Sequence, residues 1–340
     1  MPTSKHPAPR RRSLSRPSLA GPILVLGAGG FIGINLMRRL HAERRDVIGV
    51  SQSPKTNWRI VNSGIPQDRF VACDITDYLL LSDLLQRIRP RTVFNLAAYG
   101  AYSKQREYRK IHATNFNVTL DMIELLKTTG FSAYVYAGSS SEYGLNSARP
   151  REDAALVPNS HYALSKVAAG YAIKYYGTVE KLPVVNLRLY SAFGPWEEPD
   201  RLVPALIGSA RNGHLPPLVH PLISRDFVYV DDVVEAFVRA AEKAPAVAGR
   251  SFNIGTGRKT TISQIAGLAR KLCRITAAPH FGTMADRQWD RTDWYANPAL
   301  ARELLGWRAT TSLAEGLQRV IAWQQEMDFD HAYWNPARQP

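Results

Sequence analysis

The sequence ILVLGAGGFIG, residues 23–33, decides the fold of this 340-residue chain. Its four leading apolar residues predict a short buried strand, as in a parallel sheet that is covered on both faces. Three spaced glycines follow, Gly27, Gly30 and Gly33, and then an apolar helical face that continues to Leu40. A strand, a glycine loop and a helix in this order are typical of a site for the pyrophosphate of a dinucleotide.

Each glycine has its own task in such a loop. Gly27 permits a tight turn, Gly30 lets the pyrophosphate approach the backbone, and Gly33 allows the helix to pack closely on the sheet. The first helical residues, Phe31 and Ile32, lie where N–H groups favour an anion. We therefore expect these five residues to bind a cofactor. Without the flanking strand and helix, the same spacing would equally fit an ordinary glycine turn.

Strands alternate with helices up to residue 190. Further strands are predicted at 47–50, 70–73, 92–96, 133–137 and 184–189, and helices at 79–88, 111–128 and 161–177. This alternation predicts an α/β fold, a doubly wound parallel Rossmann sheet with helices on both faces. Pro and Gly become frequent near residue 191, which indicates a smaller, discontinuous C-terminal substrate domain.

The domain boundaries follow from these changes in composition. We predict a disordered basic tail at 1–20, an NAD(P)-binding Rossmann domain at 21–190 with 225–250 returning to it, a substrate-binding domain at 191–224 and 251–325, and a C-terminal tail at 326–340. The net charge of +14 suits nucleic acid or a diphosphate substrate equally well. Because no stripe of aromatic and basic residues is apparent, we expect no nucleic-acid partner.

The composition excludes several other classes of protein. Hydrophobic residues make up 45% of the chain and charged residues 21%, which is ordinary for a folded soluble protein. We find no apolar run of about 18 residues, so we expect no membrane span. Two cysteines, Cys73 and Cys273, suit neither a disulfide scaffold nor a zinc cluster. We expect no metal site and a reducing, cytoplasmic location.

The end of the second strand bears on the choice of cofactor. An acid at this point usually binds the ribose 2′-hydroxyl of NAD, but the sequence here is VSQSPK, residues 50–55. Four side chains could bind a 2′-phosphate instead: Ser51, Ser53, Lys55 and Arg59. This favours NADP slightly over NAD, and NAD remains the alternative. After the third strand, Asp74 and Ile75 are placed to contact the adenine, although Asp74 could equally cap the next helix.

Tyr162 and Lys166 lie four residues apart on a predicted helix, so they share a face. A nearby ammonium favours the phenolate of a tyrosine, whose ordinary pKa is about 10. The phenolate could accept a proton from a sugar hydroxyl while a hydride leaves the same carbon. Such a pair is also common on solvated helix faces.

The serine run at 139–141 follows the fifth strand, and ligands of parallel sheets bind beyond the carboxyl ends of the strands. Ser139 would hydrogen-bond the reacting oxygen. A serine-rich turn without a catalytic role is the alternative. Together the glycine loop, the strand end at 95–98, the serine run and the Tyr162–Lys166 pair resemble the extended short-chain dehydrogenase/reductase family. The nucleotide-sugar epimerases, dehydratases and keto-sugar reductases look most similar, over about residues 21–325.

The resemblance implies a role for each matched residue. Tyr162 would be the catalytic acid/base, Lys166 would bind the nicotinamide ribose and lower the pKa of Tyr162, and Ser139 would be the third catalytic residue. Tyr162 and Lys166 would thus also contact the cofactor. The strand end adds three cofactor contacts: Leu96, Ala97 and Ala98.

The resemblance also implies how a nucleotide-diphosphate sugar would bind. Arg225 and Arg287 would hold the diphosphate, since the planar donors of arginine match phosphate oxygens; surface ion pairs are the alternative. Ser140 and Ser191 would contact the substrate. The family often has Asn at the position of Ser191, whose shorter side chain puts its phosphate contact in doubt. Nearby Trp196 would either border the substrate pocket or pack in the core.

The reaction itself is less defined. The 4,6-dehydratases carry Asp-Glu after the catalytic hydroxyl residue, where this chain has Ser140 and Ser141. If the loop were one residue shorter than usual, Glu142 would be the dehydratase Glu and Ser140 would replace Ser139. We expect an epimerase that exchanges hydride at a ring carbon, most plausibly C4. The alternatives are an NADPH-dependent 4-keto-sugar reductase, then a 4,6-dehydratase, and outside this class a non-catalytic NAD(P)-sensing protein.

By analogy with the family, the helix at 115–126 and the helix of Tyr162 would form the interface of a homodimer. Simple packing of both helices on the sheet is the alternative.

Overall fold

The structure is a computed structural model that describes residues 19–102, 104–210, 213–284 and 291–327. Most of the two predicted tails, residues 1–18 and 328–340, lies outside the described residues.

The centre of the molecule is a parallel sheet of seven strands in the order β3-β2-β1-β4-β5-β6-β10. These strands are β1 (Ile23–Leu26), β2 (Val47–Ser51), β3 (Phe70–Ala72), β4 (Thr92–Asn95), β5 (Ala133–Ser139), β6 (Val184–Leu189) and β10 (Ser251–Ile254). The doubly wound parallel sheet is therefore confirmed. The strand order reverses between β1 and β4, where Leu26 is opposite Asn95. Such a switch point opens a crevice at the carboxyl ends of the strands.

Helices cover both faces of the sheet. The helices are α1 (Phe31–Ala42), α2 (Trp58–Asn62), α3 (Tyr78–Ile88), α4 (Tyr108–His112), α5 (Val118–Thr129), α6 (His161–Thr178), α7 (Leu202–Ala210), α8 (Val230–Lys243), α9 (Ile262–Leu272) and α10 (Leu313–Glu326). α1 and α8 pack on one face, against inward side chains such as Val25 and Phe94. α3, α5 and α6 pack on the other face, against Leu24 and Val93.

The long helix predicted at 111–128 is divided in the structure. A π-helical segment, Ala113–Asn117, joins α4 to α5. The buried side chain of Asn115 explains this segment, since its oxygen accepts from the N–H of Tyr99 at 2.9 Å and its nitrogen donates to the Ser165 hydroxyl at 2.9 Å. The π segment thus connects the loop after β4 to the helix that carries Tyr162.

The substrate side has its own small sheets and apolar core. β7 (Ser191–Phe193) pairs with β9 (Phe227–Tyr229), and β8 (Ser224–Arg225) pairs with β11 (Thr260–Thr261). α7, α9 and α10 pack together in one apolar cluster. One predicted boundary is wrong: β10 is the edge strand of the central sheet, paired with β6, and does not belong to the substrate domain. The division into two domains otherwise stays a prediction.

Candidate active site

A cleft of about 1610 Å³ opens at the carboxyl ends of β1, β4, β5 and β6. Gly27 begins the loop on its floor with φ +72°, and a Cβ there would lie 2.8 Å from the backbone nitrogen of Ala97. A Cβ on Gly33 would lie 2.1 Å from the carbonyl oxygen of Gly27, so the helix can approach the loop only without a side chain. Gly30 precedes α1 and leaves its first N–H groups without a side-chain cap. This cradle fits the pyrophosphate of a dinucleotide.

Some of the other residues expected around the dinucleotide line the cleft, and others do not. Phe31 and Ile32 at the start of α1 line the cleft, as do Leu96 and Ala98 after β4. Ala97 is buried, and its backbone lies against Gly27.

Ser51, Asp74 and Ile75 are not among the side chains that line the cleft. A Cβ added to Gly29 would lie 3.1 Å from the Ser51 hydroxyl, so Ser51 is beside the glycine loop. The carboxylate of Asp74 accepts hydrogen bonds from the backbone and hydroxyl of Thr76, at 3.0 and 2.7 Å.

Asp74 does not cap α3, which was the alternative considered for it. Asp77 caps this helix by accepting from the N–H groups of Leu79 and Leu80, at 2.9 and 3.1 Å. Ile75 is buried in the apolar core. The adenine contacts expected of Asp74 and Ile75 stay predictions.

Arg59 is not available for a 2′-phosphate, contrary to the prediction. Its side chain is 5% exposed, and one terminal nitrogen lies 2.8 Å from the carboxylate of Glu198. Its Nε donates to the carbonyl oxygen of Trp196 at 2.6 Å. Trp196 is itself buried in the core rather than at the cleft surface. The partners of Arg59 follow β7 and are far away in sequence. The residues near the end of β2 therefore could not indicate that Arg59 is already paired.

Ser139 and Tyr162 meet inside the cleft, as their positions after β5 and at the start of α6 predict. Burial raises the pKa of Tyr162, while a hydrogen bond with the Ser139 side chain and the positive charge of Arg201 lower it. Ser139 is held from behind, since its N–H donates to the carboxylate of Glu142 at 3.0 Å. Ser139 therefore has a fixed position beside the phenol.

Lys166 lies next to Tyr162, with Nζ 5.7 Å from the centre of the tyrosine ring. Its ammonium donates to the carbonyl oxygen of Ala137 at 2.8 Å. Burial lowers the pKa of Lys166 to about 7, and the charge of Glu142 opposes this. The expected effect of Lys166 on the pKa of Tyr162 stays a prediction, because burial is the largest influence on that phenol.

Glu142 does not point into the cleft. It is fully buried, and Arg188 pairs with it at 2.7 Å. Its other neighbours are the N–H of Ser139 and the amide of Asn186. The carboxylate therefore lies behind the serine run, which disfavours the alternative in which Glu142 acts as the dehydratase acid.

The expected substrate residues are partly brought together. Ser140, Ser191 and Arg225 all line the cleft. The Ser140 hydroxyl accepts a hydrogen bond from Nε1 of Trp294 at 3.0 Å, and the Arg225 guanidinium lies 5.0 Å from the centre of the same indole ring. Arg287 lies outside the described residues.

Sequence reasoning missed four further cleft residues: Tyr102, Glu197, Arg201 and Trp294. Arg201 follows Glu197 by four residues in the irregular segment before α7, with Nε 3.8 Å from the carboxylate. Burial raises the pKa of Glu197 to about 8. The signal in the sequence that could have indicated them is the acidic run Glu197, Glu198 and Asp200, which follows β7.

Within the part of the chain that the structure describes, no three His, Cys, Asp or Glu side chains are grouped so that they could hold a metal ion. A bilayer could not be crossed by any helix in the described ranges, because none is both long and apolar enough.

The fold and the site together define a dinucleotide-dependent enzyme of the extended short-chain dehydrogenase/reductase type. The chain belongs to the NAD dependent epimerase/dehydratase family, which it matches over residues 23–255. It is 32% identical to UDP-glucose 4-epimerase of Mycolicibacterium smegmatis, over 88% of this chain and 96% of that protein.

Solved structures agree with this relationship. UDP-glucose 4-epimerase of Thermotoga maritima with UDP-glucose is 26% identical, with a TM-score of 0.79 over 89% of this chain and 98% of that chain. UDP-glucuronic acid 4-epimerase of Bacillus cereus, in complex with UDP-glucuronic acid and NAD, is 27% identical, with a TM-score of 0.79 and the same coverage.

Proposed function

We propose that the protein is an NAD-dependent 4-epimerase of a UDP-sugar. The observation that carries the proposal is the position of Tyr162, beside Ser139 and adjacent to Lys166, in the cleft that the glycine loop also lines. A proton-transferring phenol beside a dinucleotide cradle is what the oxidation of a sugar alcohol requires.

The reaction uses two transfers at one carbon. A dinucleotide held by the glycine loop and Lys166 would supply the hydride chemistry, as acceptor from C4 and then as donor to the opposite face. Tyr162 takes the proton of the C4 hydroxyl as the carbonyl forms, and gives it back when the carbonyl is reduced. Ser139 donates a hydrogen bond to the same oxygen, and Lys166 holds the nicotinamide ribose. Electrons and protons therefore balance within one cycle.

We propose NAD as the cofactor, in place of the slight preference for NADP that the sequence suggested. Arg59, one of the four residues predicted to bind a 2′-phosphate, is paired with Glu198 and buried. The similar epimerase of Bacillus cereus holds NAD. Both observations support a dinucleotide without a 2′-phosphate.

We propose a UDP-sugar as the substrate because similar proteins act on UDP-glucose and UDP-glucuronate. Arg225, in the cleft beside Trp294, would bind the diphosphate. Arg287 would be its second ligand. Ser140 and Ser191, which also line the cleft, would contact the substrate.

A homodimer is part of the proposal. Leu164, Tyr171 and Tyr175 lie on one face of α6 and are 46%, 58% and 51% exposed. Such a row of exposed apolar side chains on a helix suits a second copy of the chain.

Cys73 and Cys273 are free thiols, which supports a reducing, cytoplasmic location.

NMR of products separates the candidate reactions. Purified protein is incubated with UDP-glucose or UDP-glucuronate and a catalytic amount of NAD. We expect the C4 epimer without net consumption of dinucleotide. A product that has lost water would indicate a dehydratase. Stoichiometric oxidation of NADPH with a 4-keto-sugar, and no epimer from either substrate, would indicate a reductase and contradict the proposal.

A further inference from the structure

The short helix α2 is fixed on the nucleotide-binding loop. Asn57 caps it, since its side-chain oxygen accepts from the N–H groups of Arg59 and Ile60 at 3.1 and 3.3 Å. The amide nitrogen of Asn57 donates to the carbonyl oxygen of Gly29 at 3.2 Å. The position of α2 therefore depends on the loop that is proposed to hold the pyrophosphate.

Arg59 connects this helix to the segment after β7. Its Nε donates to the carbonyl oxygen of Trp196 at 2.6 Å, and a terminal nitrogen lies 2.8 Å from the carboxylate of Glu198. Its other terminal nitrogen lies 3.5 Å from the carbonyl oxygen of Gly29. One buried guanidinium thus spans from the glycine loop to the segment after β7.

The backbone at the far end of this connection is unusual. Trp196 has φ 72°, a left-handed conformation that a bulky residue rarely adopts. Trp58 stacks on it with ring centres 5.8 Å apart, and the Arg59 guanidinium lies 4.5 Å from the centre of the Trp58 ring. Strained backbone of this kind persists where surrounding contacts determine it, and it is concentrated at ligand clamps.

Glu198 belongs to a segment that borders the cleft. Its neighbours Glu197 and Asp200 both line the cleft, as do Gly27 and Gly30 of the glycine loop. The charges of Arg59 and Glu198 both act on the pKa of Tyr102, whose side chain also lines the cleft. The ion pair therefore joins two segments, the glycine loop with α2 and the stretch after β7, which both border the cleft in which a dinucleotide would lie.

We propose that the Arg59–Glu198 pair is a strap that retains the dinucleotide in the cleft between turnovers. The proposal rests on the proposed function, since an epimerase must keep the reduced dinucleotide until the hydride returns to the same sugar, whereas a reductase must exchange it. A buried ion pair contributes little net stability to a fold, so stability alone does not account for this one. Both residues are positioning residues, because neither is argued to touch the reacting atoms.

The rate of NADH release tests the strap directly. Protein loaded with NADH is mixed with excess NAD, and the loss of NADH fluorescence is followed in time. We expect Glu198→Gln to release NADH about tenfold faster, a change of about 1.4 kcal/mol, because the variant removes the charge that holds the two segments together. Glu315→Gln, which removes half of an exposed pair with Arg319, is the matched control and should leave the rate unchanged.

A double-variant cycle separates the strap from a loss of packing. Arg59→Met and Glu198→Gln together should release NADH no faster than the faster single variant, because both remove the same connection. Should Arg59→Met fail to fold, Glu198→Gln decides, since it preserves the size and shape of the side chain. Release by Glu198→Gln within about threefold of the wild-type rate would overturn the strap. Wild-type protein that binds no NADH would instead refute the proposed function, and the strap with it.

Discussion

The carboxylate of Glu142 lies behind Ser139 and accepts a hydrogen bond from its N–H at 3.0 Å. The same carboxylate forms a buried ion pair with Arg188. The position of the serine beside Tyr162 thus depends on a charge pair that never reaches the cleft.

Glu142→Ala should therefore destabilise the fold strongly. It leaves the guanidinium of Arg188 buried without its anion, which typically costs about 3–5 kcal/mol. The free energy of unfolding, measured in urea, checks this. Asp83→Ala, which removes an exposed pair with Arg87, is the control and should change stability by less than about 1 kcal/mol. Equal losses in the two variants would show that the buried pair is unimportant.

Tyr162→Phe should remove turnover and keep dinucleotide binding. The phenyl ring preserves the shape of the cleft but cannot transfer a proton, so kcat should fall by at least about a hundredfold. NADH fluorescence titration provides the second measurement. Turnover close to wild type would refute the role of Tyr162, and a loss of both activity and binding would indicate a structural role.

Gly33→Ala should disturb the dinucleotide loop. Its Cβ would lie 2.1 Å from the carbonyl oxygen of Gly27, so the loop or α1 must move. We expect a loss of about 1–3 kcal/mol in stability and weaker NADH binding. Gly267→Ala is the matched control, because nothing lies within 4 Å of the Cβ that it adds to α9. It should bind NADH normally and be slightly more stable. Normal NADH binding by Gly33→Ala would contradict the assigned packing.

Arg225→Ala should raise the KM for the UDP-sugar with a smaller effect on kcat. A hydrogen bond to a charged group contributes about 1.5–3 kcal/mol, which corresponds to at least about tenfold in KM. Arg258→Ala removes an exposed arginine from the same region and should change neither constant. An unchanged KM for Arg225→Ala would place the diphosphate elsewhere.

Glu197 should make stability depend on pH. Burial raises its pKa in the folded protein from 4.5 to about 8, so the folded state favours the protonated carboxyl. The stabilisation of the folded state by the protonated Glu197 carboxyl is complete below pH 4.5 and is lost as the pH rises through about 8. Between these values the wild type should lose up to about 1.4 kcal/mol per pH unit relative to Glu197→Gln. Urea titrations of both proteins at several pH values test this, and parallel curves would contradict it.

Local sequence patterns were sufficient to predict several strands and helices of the central sheet. The strand, loop and helix at 23–42 and the strand at 184–189 were predictable because their apolar periods are unambiguous and each is fixed by its own neighbours in sequence. The proximity of Ser139 to Tyr162 was also predictable. Ser139 ends a strand at the edge of the sheet where ligands bind, and the four-residue spacing places Tyr162 and Lys166 on one face of a helix.

Tertiary partners were not predictable in the same way. The four residues of β10 carry no period that distinguishes an edge strand of the central sheet from a strand elsewhere, and only pairing with β6 decides. Arg59 follows a polar turn and suggested a phosphate ligand, but its partner Glu198 comes from a distant segment. Likewise, the order of residues in the serine run could not show that Glu142 turns inward to Arg188.

The fate of the hydrogen at C4 tests the proposed epimerisation most directly. UDP-glucose that carries deuterium at C4 is incubated with the protein and a catalytic amount of NAD, and the product is analysed by NMR. The hydride that leaves C4 should return to C4, so the epimer should keep its deuterium at C4. An epimer that has exchanged its C4 deuterium for solvent hydrogen, or no epimer from any UDP-sugar, would contradict hydride transfer at this site.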